Sequence, residues 1–191
     1  MHWHYCDTAD FTPEEYKKAY ATLSSSRKSH IDRFQQPQDK ERSLAAELLI
    51  QKMLKEWDIP NGTLHRTENG QPYLTGCDLY VSISHCDAMV ACAVSETPVG
   101  IDIERIRPMD LKVSRHVCVP EEEAYLMGDP PLPEEKLCHD PAALRRFFEI
   151  WTAKEAYFKK QGTGITNLKS VNILTLERQL FFIRDYIIQI I

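Results

Sequence analysis

The sequence predicts an α+β protein with antiparallel sheets. Three observations lead there: two long amphipathic helix patterns, strand-like runs separated by breaks of only two or three residues, and helix followed by strands twice along the chain. Short breaks favour antiparallel neighbours, because a parallel return needs a crossover of a dozen residues or more. The repetition divides the chain into two α+β halves, 1–96 and 97–191, although no residue-level repeat accompanies it.

The first half opens with a strand over His2–Cys6, in which His2 and His4 share one face. Two imidazoles on one face are a metal-ligand pair in principle, but no third ligand is in view, so a structural role is expected. A helix follows, with Thr12 as N-cap, Pro13 in the first turn and Glu15 completing a capping box. A longer helix is expected over Asp39–Trp57, its apolar stripe running through Leu44, Leu48, Met53 or Leu54, and Trp57, and its end set by Pro60, Asn61 and Gly62. Short strands over Leu64–Thr67 and Pro72–Leu74 flank the turn signal Asn69-Gly70. Three strands then come in quick succession, Leu79–Ser84, Ala88–Ser95 and Val99–Glu104, and read as one antiparallel meander.

The stretch Arg105–Asp140 is irregular and rich in proline and charge, with a short helix over Pro120–Met127. Asp140 as N-cap and Pro141 at the first position start a strong helix whose apolar positions are Leu144, Phe147, Phe148, Trp151 and Phe158. The Gly162-Thr163-Gly164 run ends that helix rather than cradling phosphate, since it does not precede a helix N-terminus. Two β-rich runs, Val171–Leu176 and Leu180–Ile191, close the chain.

At 191 residues and 43% hydrophobic, the chain can bury a core without disulfides or metal. Its net charge of -5 argues against nucleic acid as the main partner, because counterion release needs a basic surface. An anionic ligand must therefore meet a local basic cluster, and Arg27, Lys28, Arg33, Lys40 and Arg42 provide one. No stretch is apolar enough to span a bilayer and the start lacks a signal-peptide core, so a cytoplasmic protein is expected. The six cysteines include no CxxC pair, which argues against a zinc ribbon or redox motif.

The chemistry concentrates in Val99-Gly100-Ile101-Asp102-Ile103-Glu104. Alternate strand residues share a face, so Asp102 and Glu104 point one way, about 7 Å apart, with Ile101 and Ile103 toward the core. Alone, such a pair is the ordinary solvated face of an edge strand. The helix after Pro141 adds Glu155, an acid where the stripe calls for an apolar residue. A carboxylate at that position needs a partner. Lys159, four residues on, supplies one as an intrahelical pair; convergence with Asp102 and Glu104 would supply the other, a three-oxygen site for a hard cation. Ser84 and His85 end a strand, where a histidine is most simply a turn residue.

The ordered set Gly70-Gln71-Pro72, Ser82-Ile83-Ser84-His85, Val99 to Glu104 with Arg107-Pro108, Trp151-Thr152-Ala153-Lys154-Glu155-Ala156-Tyr157-Phe158-Lys159 and Gly162 to Ile165 resembles the phosphopantetheinyl transferase superfamily, in its surfactin-synthetase-activating (Sfp-type) branch. The resemblance implies a monomer of two pseudo-symmetric halves with coenzyme A in the cleft between them. It further implies Mg²⁺ held by Asp102, Glu104 and Glu155, with Lys159 near the diphosphate. Arg27, Arg42, Gly70, Gln71, Pro72, Ser84, His85 and Lys154 are implied as coenzyme contacts. Gln71 stands where the family carries lysine, and His30 where lysine is frequent.

On that resemblance the chain would move the 4′-phosphopantetheine arm of coenzyme A onto a serine of an apo acyl- or peptidyl-carrier protein. Glu155 would act as base, with Lys159 at the leaving oxygen and Asp102 completing the catalytic set. No nucleophilic triad is needed, because the serine belongs to the carrier. A basic docking surface for the acidic carrier is expected between Arg107 and Arg115. The competing functions are a metal-dependent phosphohydrolase and a non-catalytic coenzyme- or carrier-binding homologue.

Overall fold

The computed structural model describes residues 1–59, 61–133 and 137–191, and Pro60, expected to end the long helix, lies outside them. The chain divides into two compact units, Met1–Val99 and Gly100–Ile191. Each is built from helices packed on antiparallel sheet, as an α+β class requires.

In the first unit, β1 (His2–Asp7) leads to α1 (Pro13–Thr22), whose Thr12–Glu15 capping box forms as the sequence dictates. A further helix, α2 (Ser25–Asp32), is capped by Ser24 and was not anticipated. It buries only Arg27 and Ile31, so it has no apolar stripe to announce it. The long helix α3 (Pro37–Glu56) starts two residues before the expected Asp39, because Pro37 suits the first turn.

The apolar surface of α3 is an arc wider than the single stripe predicted. Leu44 and Leu48 pack with Ala19, Leu23 and Ile31 of the small-helix side. Ala45, Ala46, Leu49, Ile50, Met53 and Leu54 pack on Cys6, Val90, Cys92 and Val94 of the sheet. Trp57 caps the helix, half-buried.

That sheet has the order β1-β5-β4, with β4 (Tyr80–Cys86) and β5 (Met89–Ser95) joined as a hairpin and β5 buried throughout at the centre. A second hairpin, β2 (Thr63–Arg66) and β3 (Pro72–Thr75), turns at Asn69-Gly70, where Gly70 takes φ +82°. Such a backbone favours glycine. His2 and His4 do face α3, and both hydrogen-bond Glu56, at 3.1 and 3.0 Å.

The predicted meander breaks after β5. The next strand, β6 (Ile101–Arg105), joins a separate sheet of order β6-β8-β7 in the second unit. There β7 (Gln179–Ile183) and β8 (Tyr186–Ile190) form a hairpin around Arg184-Asp185, so the last β-rich run is two strands. The run Val171–Leu176 is not a strand: it contains a single 3₁₀ turn, Ile173–Thr175, nucleated by the Asn172 side chain accepting from the Leu174 amide. Between β6 and the long helix lie α4 (Ser114–Val117) and α5 (Pro120–Met127), then α6 (Pro141–Gln161).

Each unit thus carries the order strand, long helix, hairpin, with the last strand central in its sheet. In the second unit Leu144, Phe147, Phe148, Ile150 and Ala153 of α6 pack with Ile187 of β8. Both faces of β6 are buried rather than one: Ile101 and Ile103 on one side, Asp102 on the other. None of the six cysteines forms a disulfide. Among the described residues, no helix is long and apolar enough to cross a membrane.

Candidate active site

Helix α6 lies on the carboxylate face of β6 and β8. Asp102 pairs in register with Gln189, whose side-chain amide donates to the Glu149 carbonyl and, at 2.8 Å, to Thr152 Oγ1 of α6. The approach is close enough to dictate glycine at the start of β6. A Cβ on Gly100 would stand 1.8 Å from the Ala156 carbonyl oxygen.

This packing places Asp102 beneath the helix, only 3% exposed, and Glu104 beside it, half-buried. The solvated-edge alternative is thereby excluded for Asp102. One helical turn links Glu155 to Lys159, and the Lys159 ammonium reaches Asp102 Oδ1 at 2.7 Å. Lys159 therefore bonds the strand acid. Arg107 Nη1 lies 3.5 Å from Glu104 Oε2.

The carboxyl of Glu155 is pushed up to about 7, first by burial, then by the Asp102 charge, with Lys159 opposing and Glu104 adding to the rise. Asp102, Glu104 and Glu155 are near enough to sense one another. Glu155 is consequently poised to bind or release a proton near neutrality. Among the described residues, no group of three histidine, cysteine, aspartate or glutamate side chains already converges as a metal site.

The other expected site residues lie in the first unit. Arg27 is buried, donating to Ser43 Oγ at 2.9 Å and pairing with Glu47 at 3.3 Å. With His30, Arg33 and Arg66 it lines a cleft of about 320 Å³ that reaches Gly70. Burial, then Arg27, Arg66 and Arg33, holds the His30 imidazole below its ordinary range. With Arg27 paired to Glu47, Arg33 and Arg66 outweigh the Glu68 carboxylate that also lines the cleft, so its lining is basic in an acidic protein.

Arg66 was missed in the sequence. Its Nη1 donates to the Gly70 carbonyl at 2.7 Å, and only the β2–β3 pairing brings it there. Gln71 is exposed, its backbone N–H donating to Thr67 Oγ1. Pro72 opens β3 opposite Arg66. Arg42 donates to the Asp87 carbonyl at 2.7 Å and pairs with Asp39, tying the start of α3 to the β4–β5 turn. Ser84 is buried and His85 exposed at the end of β4 beside that turn.

Lys154 does not fit the expected coenzyme contact. Its side chain is fully buried, with Nζ 2.7 Å from Glu122 Oε2, 2.7 Å from the Leu168 carbonyl and 2.8 Å from the Val171 carbonyl. Three acceptors occupy its three N–H groups.

Two family models match in tandem. Residues 10–97 match the 4′-phosphopantetheinyl transferase N-terminal family, and residues 98–189 match the 4′-phosphopantetheinyl transferase superfamily. The chain is 34% identical over 148 residues to the 4′-phosphopantetheinyl transferase gsp of Aneurinibacillus migulanus, covering 76% of this chain and 58% of the relative. It is 30% identical over 163 residues to the 4′-phosphopantetheinyl transferase HetI of Nostoc, covering 80% and 65%. The 4′-phosphopantetheinyl transferase Sfp of Bacillus subtilis is 24% identical over 157 residues, covering 80% and 66%. The chain thus spans about three fifths to two thirds of the length of these relatives. With both models matched in order, and with Asp102, Glu104, Glu155 and Lys159 gathered where β6 meets α6, the chain belongs to the 4′-phosphopantetheinyl transferase superfamily, in its Sfp-type branch.

Proposed function

We propose that this protein transfers the 4′-phosphopantetheine moiety of coenzyme A to a serine of an apo acyl- or peptidyl-carrier protein, releasing adenosine 3′,5′-bisphosphate. It would do so as a cytoplasmic monomer. The observation that supports this reading is the Glu155 carboxyl, raised to about 7 beside Asp102 and Glu104 and balanced by Lys159. Before a cation binds, a group of that pKa exchanges a proton near physiological pH, as a base for a serine hydroxyl must.

The oxygen donors Asp102, Glu104 and Glu155 suit a hard divalent cation, which would offset the burial that chiefly raises Glu155 and the repulsion from Asp102 and Glu104 that adds to it. Mg²⁺ held by these three would neutralise charge on the coenzyme's diphosphate. The chain's own groups account for the remainder. Glu155 accepts the serine proton as the serine Oγ bonds to the phosphorus bearing the pantetheine arm. The bond from that phosphorus to the bridging diphosphate oxygen breaks, and the electron pair leaves on the nucleotide. Lys159 turns its ammonium from Asp102 to that oxygen and stabilises it. The electropositive cleft of Arg27, His30, Arg33 and Arg66 receives anionic parts of the coenzyme.

The test is intact-mass analysis of an apo-carrier incubated with enzyme, coenzyme A and MgCl₂. A gain of one phosphopantetheine group supports transfer. Hydrolysis of the coenzyme with an unmodified carrier would replace this reading with the phosphohydrolase, and binding without turnover would replace it with the non-catalytic homologue.

A further inference from the structure

One fully partnered buried charge of the second unit lies outside the acidic cluster. Lys154 precedes Glu155 on α6 yet has no exposure, and all three of its donors are used, on Glu122 and on the carbonyls of Leu168 and Val171. Glu122 is equally buried. Its Oε1 accepts from the Ile173 amide at 2.7 Å and its Oε2 from the Val119 amide at 2.9 Å. Two side chains thus bind three pieces of backbone: the start of α5, α6, and the segment 168–173 returning from the helix.

The chain leaves α6 through Gly162, in the left-handed region at φ +68°, whose amide bonds the Phe158 and Lys159 carbonyls. Six residues later Leu168 is held by Lys154. The exit loop is therefore pinned at both ends, one at the turn carrying Lys159 and the other beside Glu155.

We infer that Lys154 is a positioning residue, which with Glu122 fixes the helix end carrying Glu155 and Lys159 through the return segment and makes no contact with the coenzyme. A neutral pair of similar volume would preserve packing, whereas removing one partner would strand the other's charge in the core. A coenzyme-binding lysine predicts the opposite: loss of affinity whether or not Glu122 is altered. The activity side of this inference rests on the transferase reading. The stability side does not.

The experiment is a double-mutant cycle of Lys154→Met and Glu122→Gln, with Lys154→Arg as the conservative variant, read by thermal melting and by steady-state transfer to an apo-carrier. The expected result is a lowered melting temperature for each single variant and recovery of most of that loss in the double. The double should keep its KM for coenzyme A within roughly threefold of wild type while kcat falls about tenfold or more, and Lys154→Arg should restore part of kcat. A rise of about tenfold or more in KM for Lys154→Met and the double alike, with additive melting effects, would overturn the inference. If the single variants do not fold and the double does, the pairing is upheld by that result; if the double also fails to fold, the inference fails. If wild type transfers nothing, the transferase reading fails, and the melting cycle alone decides the pairing.

Discussion

The ammonium of Lys159 and the carboxylate of Asp102, 57 residues apart in the chain, meet at 2.7 Å between α6 and β6. Asp102 is buried, so this contact is its local counter-charge, and Lys159 is on the proposed path of the diphosphate. A bound divalent cation would compete for the same carboxylate. MgCl₂ is therefore expected to raise the melting temperature of the wild-type protein, by up to about 2.7 kcal/mol of stability at roughly 100 times Kd. Asp102→Asn should abolish that rise, and differential scanning fluorimetry with and without EDTA checks both.

Glu155 makes stability depend on pH with a definite sign. Its carboxyl titrates at about 7 in the folded protein against 4.5 as the reference value, so between these values the native state holds a proton that the unfolded chain has released. Its contribution is fully present below about 4.5 and is lost as pH rises through 7. Glu155→Gln should flatten that fall in denaturant titrations run across the same range. In buffer containing MgCl₂ the same acid, which must ionise to act as a base, should leave its mark as a rise in the rate of carrier loading with pH.

Gly100 is where strand and helix touch. A side chain there would collide with the Ala156 carbonyl, which is fixed helix backbone and cannot swing aside. Gly100→Ala is expected to cost about 3 kcal/mol, or roughly 10 °C in melting temperature, and to disperse Glu155 from Asp102. Circular dichroism melting together with carrier loading measures both effects.

The cleft in the first unit makes a separate prediction. Arg66 and Arg27 supply positive charge where Gln71 does not. Arg66→Gln should weaken coenzyme A binding about tenfold or more, as loss of a charged hydrogen bond would, with little effect on kcat at saturation. Isothermal titration with coenzyme A is the direct measurement.

What could be read from the sequence was what depends on near neighbours. Pro120 and Pro141 announce helix starts because proline suits the first turn, and α5 and α6 begin there. The strand acids and Glu155 were visible because each sits at a defined period, two along a strand and 3.6 along a helix. The buried role of Lys154, expected as a coenzyme contact, was not, because a fully buried lysine is explained only by Glu122 and two carbonyls from elsewhere in the fold. Nor was the departure of β6 from the meander, since short loops permit a pairing with β5 that pairing with β8 and packing on α6 in fact win. Val171–Leu176 is β-rich in composition, but Asn172 bonds its own backbone and winds the middle of it into a turn.

The most direct measurement of the central claim is the intact mass of an apo-carrier after incubation with coenzyme A, MgCl₂ and either wild-type protein or Glu155→Gln. Wild type is expected to add one phosphopantetheine group to the carrier serine in a Mg²⁺-dependent manner, and Glu155→Gln to leave the carrier unmodified while melting as a folded protein. Loading by Glu155→Gln at the wild-type rate would contradict the account.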